Sequence, residues 1–224
     1  MTVLPLLLVV LAMALLQLEA GKEGNDPVTC GSVIKLVHKE TGNNLHSHGI
    51  SWGSGSGQQS VTTNSVNNDK GSLWLIKEAS TSSICEIGTP LKCGDSFRLE
   101  HADSKKNLHS HLFQAPLSGG QEVSGFGDEQ GNGDTGDNWT VQCESSDAVW
   151  MRHKSVYLRH VDTGMFLSSS QSFQFNQQNC GGNCPIMAQT EVSASAKRDG
   201  RTKWSTGQGV YYPSKMGREE EDEL

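Results

Sequence analysis

Residues 30–48 read CGSVIKLVHKETGNNLHSH, and residues 93–111 read CGDSFRLEHADSKKNLHSH. The offset of 63 holds without a gap, pairing Leu36 with Leu99, His38 with His101, Leu45 with Leu108, His46 with His109 and His48 with His111. A fainter third copy, SVYLRHVDTGMFLSSS from Ser155, aligns Leu158, His160 and Leu167 with these positions but carries Ser168, Ser169 and Ser170 in place of HSH. Downstream, Gln58, Gln121 and Gln189 introduce the similar segments QQSV, QEVS and QTEV, and Trp74, Trp139 and Trp204 recur every 65 residues. The chain therefore contains three related units.

Within each unit, apolar residues alternate with polar ones, as at Val33, Lys35 and Val37 or at Phe97, Leu99 and His101, and breakers such as Thr41-Gly42 and Thr163-Gly164 follow closely. Period-two alternation with frequent turn chemistry specifies short antiparallel strands. The expected class is all-β. Units of about 60 residues are too small to bury their own apolar faces, so three of them are best satisfied by closing around an axis, which also removes most free sheet edges. We expect a twelve-stranded β-trefoil with pseudo-threefold symmetry. A three-bladed array is the alternative, disfavoured because so few blades close poorly.

The ends carry addresses. An apolar run over residues 6–16 would make a helix of about 16 Å, roughly half a bilayer core, so residues 1–20 read as a cleaved signal peptide and no membrane span is expected. The last four residues, Glu221, Asp222, Glu223 and Leu224, differ from the KDEL retrieval signal only at the first position. Together they place the chain in the lumen of the endoplasmic reticulum. Of the 25 acids, Glu19 lies in the leader and five lie at 219–223, which leaves 19 against 18 Lys and Arg. A near-neutral body argues against nucleic acid or an anionic membrane surface as partner.

The repeats resemble MIR domains, the trefoil-forming units of protein O-mannosyltransferases, inositol trisphosphate receptors and ryanodine receptors. Over residues 28–205 the chain resembles the stromal cell-derived factor 2 family, most specifically in VTCGSVIKL, LHSHGISWGSGSGQQSVT, CEIGTPLKCG, NLHSH and APLSGGQEVSGFG. It departs from that family's pattern in the insertion bearing Cys180 and Cys184 and in its acidic tail. The expected organisation is MIR repeats at 27–81, 89–144 and 145–201 between the leader and a tail at 205–224.

Six cysteines in an oxidising compartment are read as three disulfides. In a trefoil unit the first and fourth strands run side by side and antiparallel, which assigns Cys30 to Cys85 and Cys93 to Cys143. Cys180 and Cys184 remain as a local staple.

No motif specifies catalysis. There is no GxSxG and no phosphate-cradling loop opening a helix; Asp134 and Asp137 are read as loop acids, and no enzyme or cofactor is expected. The HSH pairs have a spacing that can chelate zinc or copper, but the repeat axis points them apart and unit 3 has only serines. They are read as structural histidines bonded to turn carbonyls, with no metal. Asn138-Trp139-Thr140 is an N-glycosylation sequon beside an expected core tryptophan.

The resemblance implies a non-enzymatic adaptor of protein quality control. It would associate with a J-domain cochaperone and the chaperone BiP, keep misfolded clients soluble, and support the unfolded protein response. The alternative is a carbohydrate-binding trefoil recognising glycans or O-mannosylated clients. Its candidate residues are the aromatics Trp52, Phe113 and Phe126 with Gln58, Gln121 and Glu122.

Overall fold

A computed structural model describes residues 26–144 and 146–215. The signal peptide and the retrieval tetrapeptide expected from the sequence lie outside the described residues. Among those residues the only α-helix is α1, Gln177–Cys180. Unit 1 supplies strands β1 (Val33–His38), β2 (Asn44–Ser51), β3 (Gln59–Asn64) and β4 (Trp74–Glu78). Unit 2 supplies β5 (Ser96–His101), β6 (Asn107–Gln114), β7 (Gln121–Phe126) and β8 (Trp139–Cys143). Unit 3 supplies β9 (Val156–His160), β10 (Phe166–Gln174), β11 (Thr190–Ser195) and β12 (Trp204–Val210).

The pairing is that of a β-trefoil. First and fourth strands pair antiparallel within each unit, β1 with β4, β5 with β8 and β9 with β12. Fourth strands also pair with the first strand of the next unit, β4 with β5, β8 with β9 and β12 with β1. These six strands close a barrel without free edges. The second and third strands form three hairpins whose third strands meet one another, β3 with β7, β7 with β11 and β11 with β3.

Alternation decides what goes inside. Leu36, Leu99 and Leu158, then Leu45, Leu108 and Leu167, then Val61, Val123 and Val192 are all fully buried, so the core is built from threes of equivalent residues. Each such side chain stabilises the fold by about 1.5–3 kcal/mol relative to exposure. The three repeat tryptophans are also fully buried. Each indole N–H donates to a hairpin carbonyl of its own unit: Trp74 to Leu45 at 3.0 Å, Trp139 to Leu108 at 2.8 Å and Trp204 to Leu167 at 2.9 Å. Satisfying that one donor lets a large ring occupy the barrel wall at no polar cost.

Three disulfides join Cys30 to Cys85, Cys93 to Cys143 and Cys180 to Cys184, with Cα separations of 6.2, 5.6 and 5.3 Å. The last lies in the insertion between β10 and β11. That insertion builds a second small core in which Phe175, Cys184 and Ile186 pack on Trp52.

Candidate functional site

Three histidines end the first strands of the units, and each locks one unit to the unit before it. The Nε2–H of His38, His101 and His160 donates to the carbonyl of Arg201, Gly71 and Gly136, at 2.9, 3.0 and 2.9 Å. Each Nδ1 therefore accepts, from Thr41, Ser104 or Thr163 at 3.0, 2.8 and 2.8 Å. Each ring also packs on the preceding unit's tryptophan, with centroids 4.8–5.1 Å apart. Burial holds all three imidazoles below the usual histidine range, so they are uncharged at neutral pH.

The HSH histidines do something different from what the sequence suggested. The turn carbonyls are taken by His38, His101 and His160, and the first histidine of each HSH pair bonds a carboxylate instead. His46 Nδ1 lies 2.5 Å from Asp69, and His109 Nδ1 lies 2.9 Å from Asp137 and 3.5 Å from Asp134. Asp134 and Asp137 are not loop acids but the two ends of a capping box on a 3-10 turn, Thr135–Asp137. Asp134 accepts the Gly136 N–H and Asp137 accepts the Asp134 N–H, both at 2.9 Å. The turn runs so close to the imidazole that a Cβ on Gly136 would lie 2.4 Å from His109 Cε1.

His109, Asp134 and Asp137 could each offer one ligand atom to a cation, all within 4.8 Å of one another. Nδ1 of His109 and both oxygens of Asp137 are engaged in the cap and the imidazole contact, so the pair works as a latch, while the Asp134 side chain stays 57% exposed. The second histidines diverge. His111 Nε2 donates to fully buried Glu122 at 2.9 Å, whereas the corresponding residue opposite His48 is Ser60. Glu122 also accepts the Ser56 N–H at 3.2 Å and the Ser56 hydroxyl, which ties the hairpin tip of unit 1 to unit 2.

Above His109 and His111 the β6–β7 hairpin and the 161–165 turn of unit 3 enclose a cleft of about 660 Å³. Gln58, Gln121 and Phe126, three of the six sequence candidates for sugar binding, face it, joined by Leu112, Asp134, Asp162, Thr163 and Met165. Phe126 leans on His109 with centroids 4.7 Å apart. Gln121 bridges Ser110 at 2.7 Å and Thr163 at 2.9 Å, and this joins units 2 and 3 across the floor.

The other three candidates are not part of this lining. Glu122 is committed beneath the cleft to His111 and Ser56. Phe113 stands on the hairpin's outer side, half exposed, with its ring 4.9 Å from His111. Trp52 is no aromatic platform: it is 6% exposed, donates to the Val123 carbonyl at 3.0 Å and is covered by Phe175 at 5.9 Å. The insertion supplies that cover.

The register also corrects the alignment of the glutamines. Leu45 faces Thr63 and Leu108 faces Gly125, so the counterpart of Gln121 is Gln59 and not Gln58. Gln59 repeats the same two bonds, to Ser47 at 2.7 Å and Ser104 at 2.8 Å. Gln58, one residue before β3, does not repeat these bonds and instead accepts from Ser124 at 2.5 Å.

The chain matches the MIR domain family model over residues 54–199. It is 46% identical over 191 residues to the stromal cell-derived factor 2-like protein of Dictyostelium discoideum, covering 84% of this chain and 85% of the relative. It is 41% identical over 217 residues to human stromal cell-derived factor 2, covering 96% and 95%. The chain belongs to the stromal cell-derived factor 2 family. The crystal structure of the family's Arabidopsis thaliana SDF2-like protein superposes with a TM-score of 0.77 at 38% identity, covering 84% of this chain and 99% of that one. A second solved structure, the Saccharomyces cerevisiae protein O-mannosyltransferase Pmt1-Pmt2 complex bound to the sugar donor, gives a TM-score of 0.71 at 27% identity, covering 84% of this chain and 26% of that one. No helix among the described residues of this family member is long and apolar enough to cross a membrane.

Asp69 and Asp199 go unnoticed in the sequence, and Asp134 reads there as a loop acid. Asp69, Asp134 and Asp199 each stand five residues before a repeat tryptophan, a periodic signal that would have marked them as caps. Asp162 and Thr163 recur as Glu40 and Thr41 and as Asp103 and Ser104, but the repeat alone does not say that they reach the cleft of the preceding unit.

Proposed function

We propose that this stromal cell-derived factor 2 family member is a non-enzymatic adaptor of protein quality control in the endoplasmic reticulum lumen. It associates with a J-domain cochaperone and BiP, keeps misfolded clients soluble and supports the unfolded protein response. One observation supports the absence of catalysis: His109 and His111 are paired with buried carboxylates of their own unit, His38, His101 and His160 are spent on locking neighbouring units together, and no cysteine among the described residues is free. Membership of the family supports the partners, and the leader and DEL terminus support the compartment. A pull-down from lumenal lysate with the disulfide-bonded chain should recover a J-domain protein and BiP under mild conditions. Recovery of neither rejects the reading, and removal of Leu224 should divert the chain to the medium.

A second reading, a carbohydrate-binding module, is favoured by one arrangement, the meeting of Gln58, Gln121 and Phe126 in one cleft on a fold shared with the sugar-donor complex. Glycan-array binding that disappears in Phe126→Ala, with the unfolding midpoint retained, would place this reading ahead of the adaptor.

A further inference from the structure

The cleft between units 2 and 3 carries a charge that its apolar walls do not require. Asp134, its side chain 57% exposed, and exposed Asp162 open onto it, and no lysine or arginine lines it. The Thr135 hydroxyl donates to Asp162 at 2.8 Å, so the two acids are held on one rim by the same turn. Two more carboxylates, Asp137 and Glu122, lie completely buried below, each against one histidine. The remaining histidine of the lining, His160, has both ring nitrogens committed to Gly136 and Thr163. The walls are Phe126, Met165 and Leu112, and Leu112 is 86% exposed although it borders the cleft.

The equivalent hollow in unit 3 serves as an internal comparison. There the HSH histidines are replaced by Ser168 and Ser170, and the hollow of about 330 Å³ is lined by hydroxyls with Arg201 at its edge. Arg201 pairs with Asp199 through two contacts, 2.7 and 3.3 Å, so that rim holds its own cation. The acids recur in the other units, as Asp69 with Asp103 and as Asp199 with Glu40, but the 3-10 turn there carries Lys70 or Arg201, and the unit 2 turn has no such cation.

We propose that the unit 2 cleft docks a segment of a partner polypeptide that presents an arginine or lysine beside an apolar side chain. The cation meets the Asp134 and Asp162 carboxylates next to the Phe126 ring, and the apolar side chain covers Leu112 and Met165. Both attractions are physically available: opposite charges at a partly enclosed rim and a cation near an aromatic ring. A neutral hexose would leave the rim charge unanswered. The cleft volume falls in the range of about 300–1,000 Å³ typical of sites that recognise a few groups at a time. This assignment rests on the adaptor reading above and names the chemistry of the partner.

The test uses the full chain with its disulfides formed. Anisotropy of a fluorescein-labelled peptide GSALRLASG should report saturable binding that weakens at least tenfold when citrulline replaces arginine. It should also weaken as salt rises from 50 to 500 mM. The double variant Asp134→Asn/Asp162→Asn should lose at least tenfold in affinity with an unchanged unfolding midpoint, because asparagine still accepts the Gly136 N–H. Should that variant misfold, Leu112→Ser, altering an exposed side chain, should still weaken the peptide severalfold. Absence of peptide binding, equal affinity for the citrulline peptide, or wild-type affinity in the folded variants overturns the proposal. So does displacement of the peptide by methyl α-mannoside with an affinity that the double variant leaves unaltered, which would make the cleft a sugar site. If both wild type and double variant recover BiP equally from lysate, the adaptor reading stands and the cleft assignment falls; if neither does while the peptide binds as described, only the adaptor reading falls.

Discussion

At the scale of single residues, the chemistry of this chain is spent on neutrality. His38, His46, His48, His101 and His160 all titrate below the usual value of about 6.5, with burial as the largest cause. Unfolding returns each to the ordinary value, so the unfolded chain binds more protons between the lowered values and about 6.5. The stability these groups contribute is complete above that pH and is lost as the pH falls through and below it. Glu191 opposes the trend, because burial raises its carboxyl, and its cost to the fold appears as the pH rises through the carboxylate range. Five histidines outweigh one glutamate. The urea midpoint should hold between pH 8 and 7 and drop progressively from pH 6.5 to 5.5; a midpoint that rises on acidification would contradict the neutral latches.

Asn138 is the other residue whose environment decides its fate. Its side chain is 5% exposed as a residue, donates to the Ser80 hydroxyl at 2.9 Å and accepts the Ser80 N–H at 2.8 Å. A sugar on that buried nitrogen would have no room beside Ser80 and would force open the contact between units 1 and 2. The folded protein recovered from cells should therefore show no mass shift after endoglycosidase treatment, and a full-occupancy shift would refute the burial. The sequon was plain in the sequence; its inaccessibility was not, because Ser80 is brought to it only by the fold.

At the scale of elements, the 3-10 turn before each fourth strand is the recurring joint. It places an aspartate at the cap, a backbone carbonyl against the next unit's histidine, and a glycine or other residue under the hairpin. In unit 2 the joint has no room to spare. Gly136→Ala should cost about 2–4 kcal/mol by pushing the turn off His109, on the scale of overpacked or broken buried networks. Gly53, around which a Cβ meets nothing within 4 Å, provides the control, and Gly53→Ala should change stability by less than about 0.5 kcal/mol. Paired urea titrations distinguish the two; equal effects would mean that the His109 contact is not tight.

For the molecule as a whole, the disulfides differ in what they close. Cys30–Cys85 and Cys93–Cys143 span separations of 55 and 50 residues, while Cys180–Cys184 spans 4. Loop entropy then gives about 4 kcal/mol for Cys93–Cys143 and about 2 kcal/mol for Cys180–Cys184. Replacing the first pair by serines should lower stability about twice as far as replacing the second. Denaturant unfolding of the two double variants makes the comparison, and a larger loss at Cys180/Cys184 would show that its covering of Trp52 matters more than loop closure.

The all-β trefoil was legible in residues 30–48 and 93–111 because repetition of an alternating pattern constrains fold and symmetry together, and each copy corroborates the others. Gln121 and the HSH histidines stood out in the sequence for the same reason, but their partners, Thr163 and the capping aspartates, did not. Trp52 was misjudged because its cover, Phe175 and Ile186, arrives from an insertion in another unit. The strand pattern, the threefold closure and the family follow from the order of residues. Which polar residues meet came only from the folded arrangement, since Asp162 and Thr163 of unit 3 complete the cleft of unit 2, and the repeat marks such positions without saying which unit they touch.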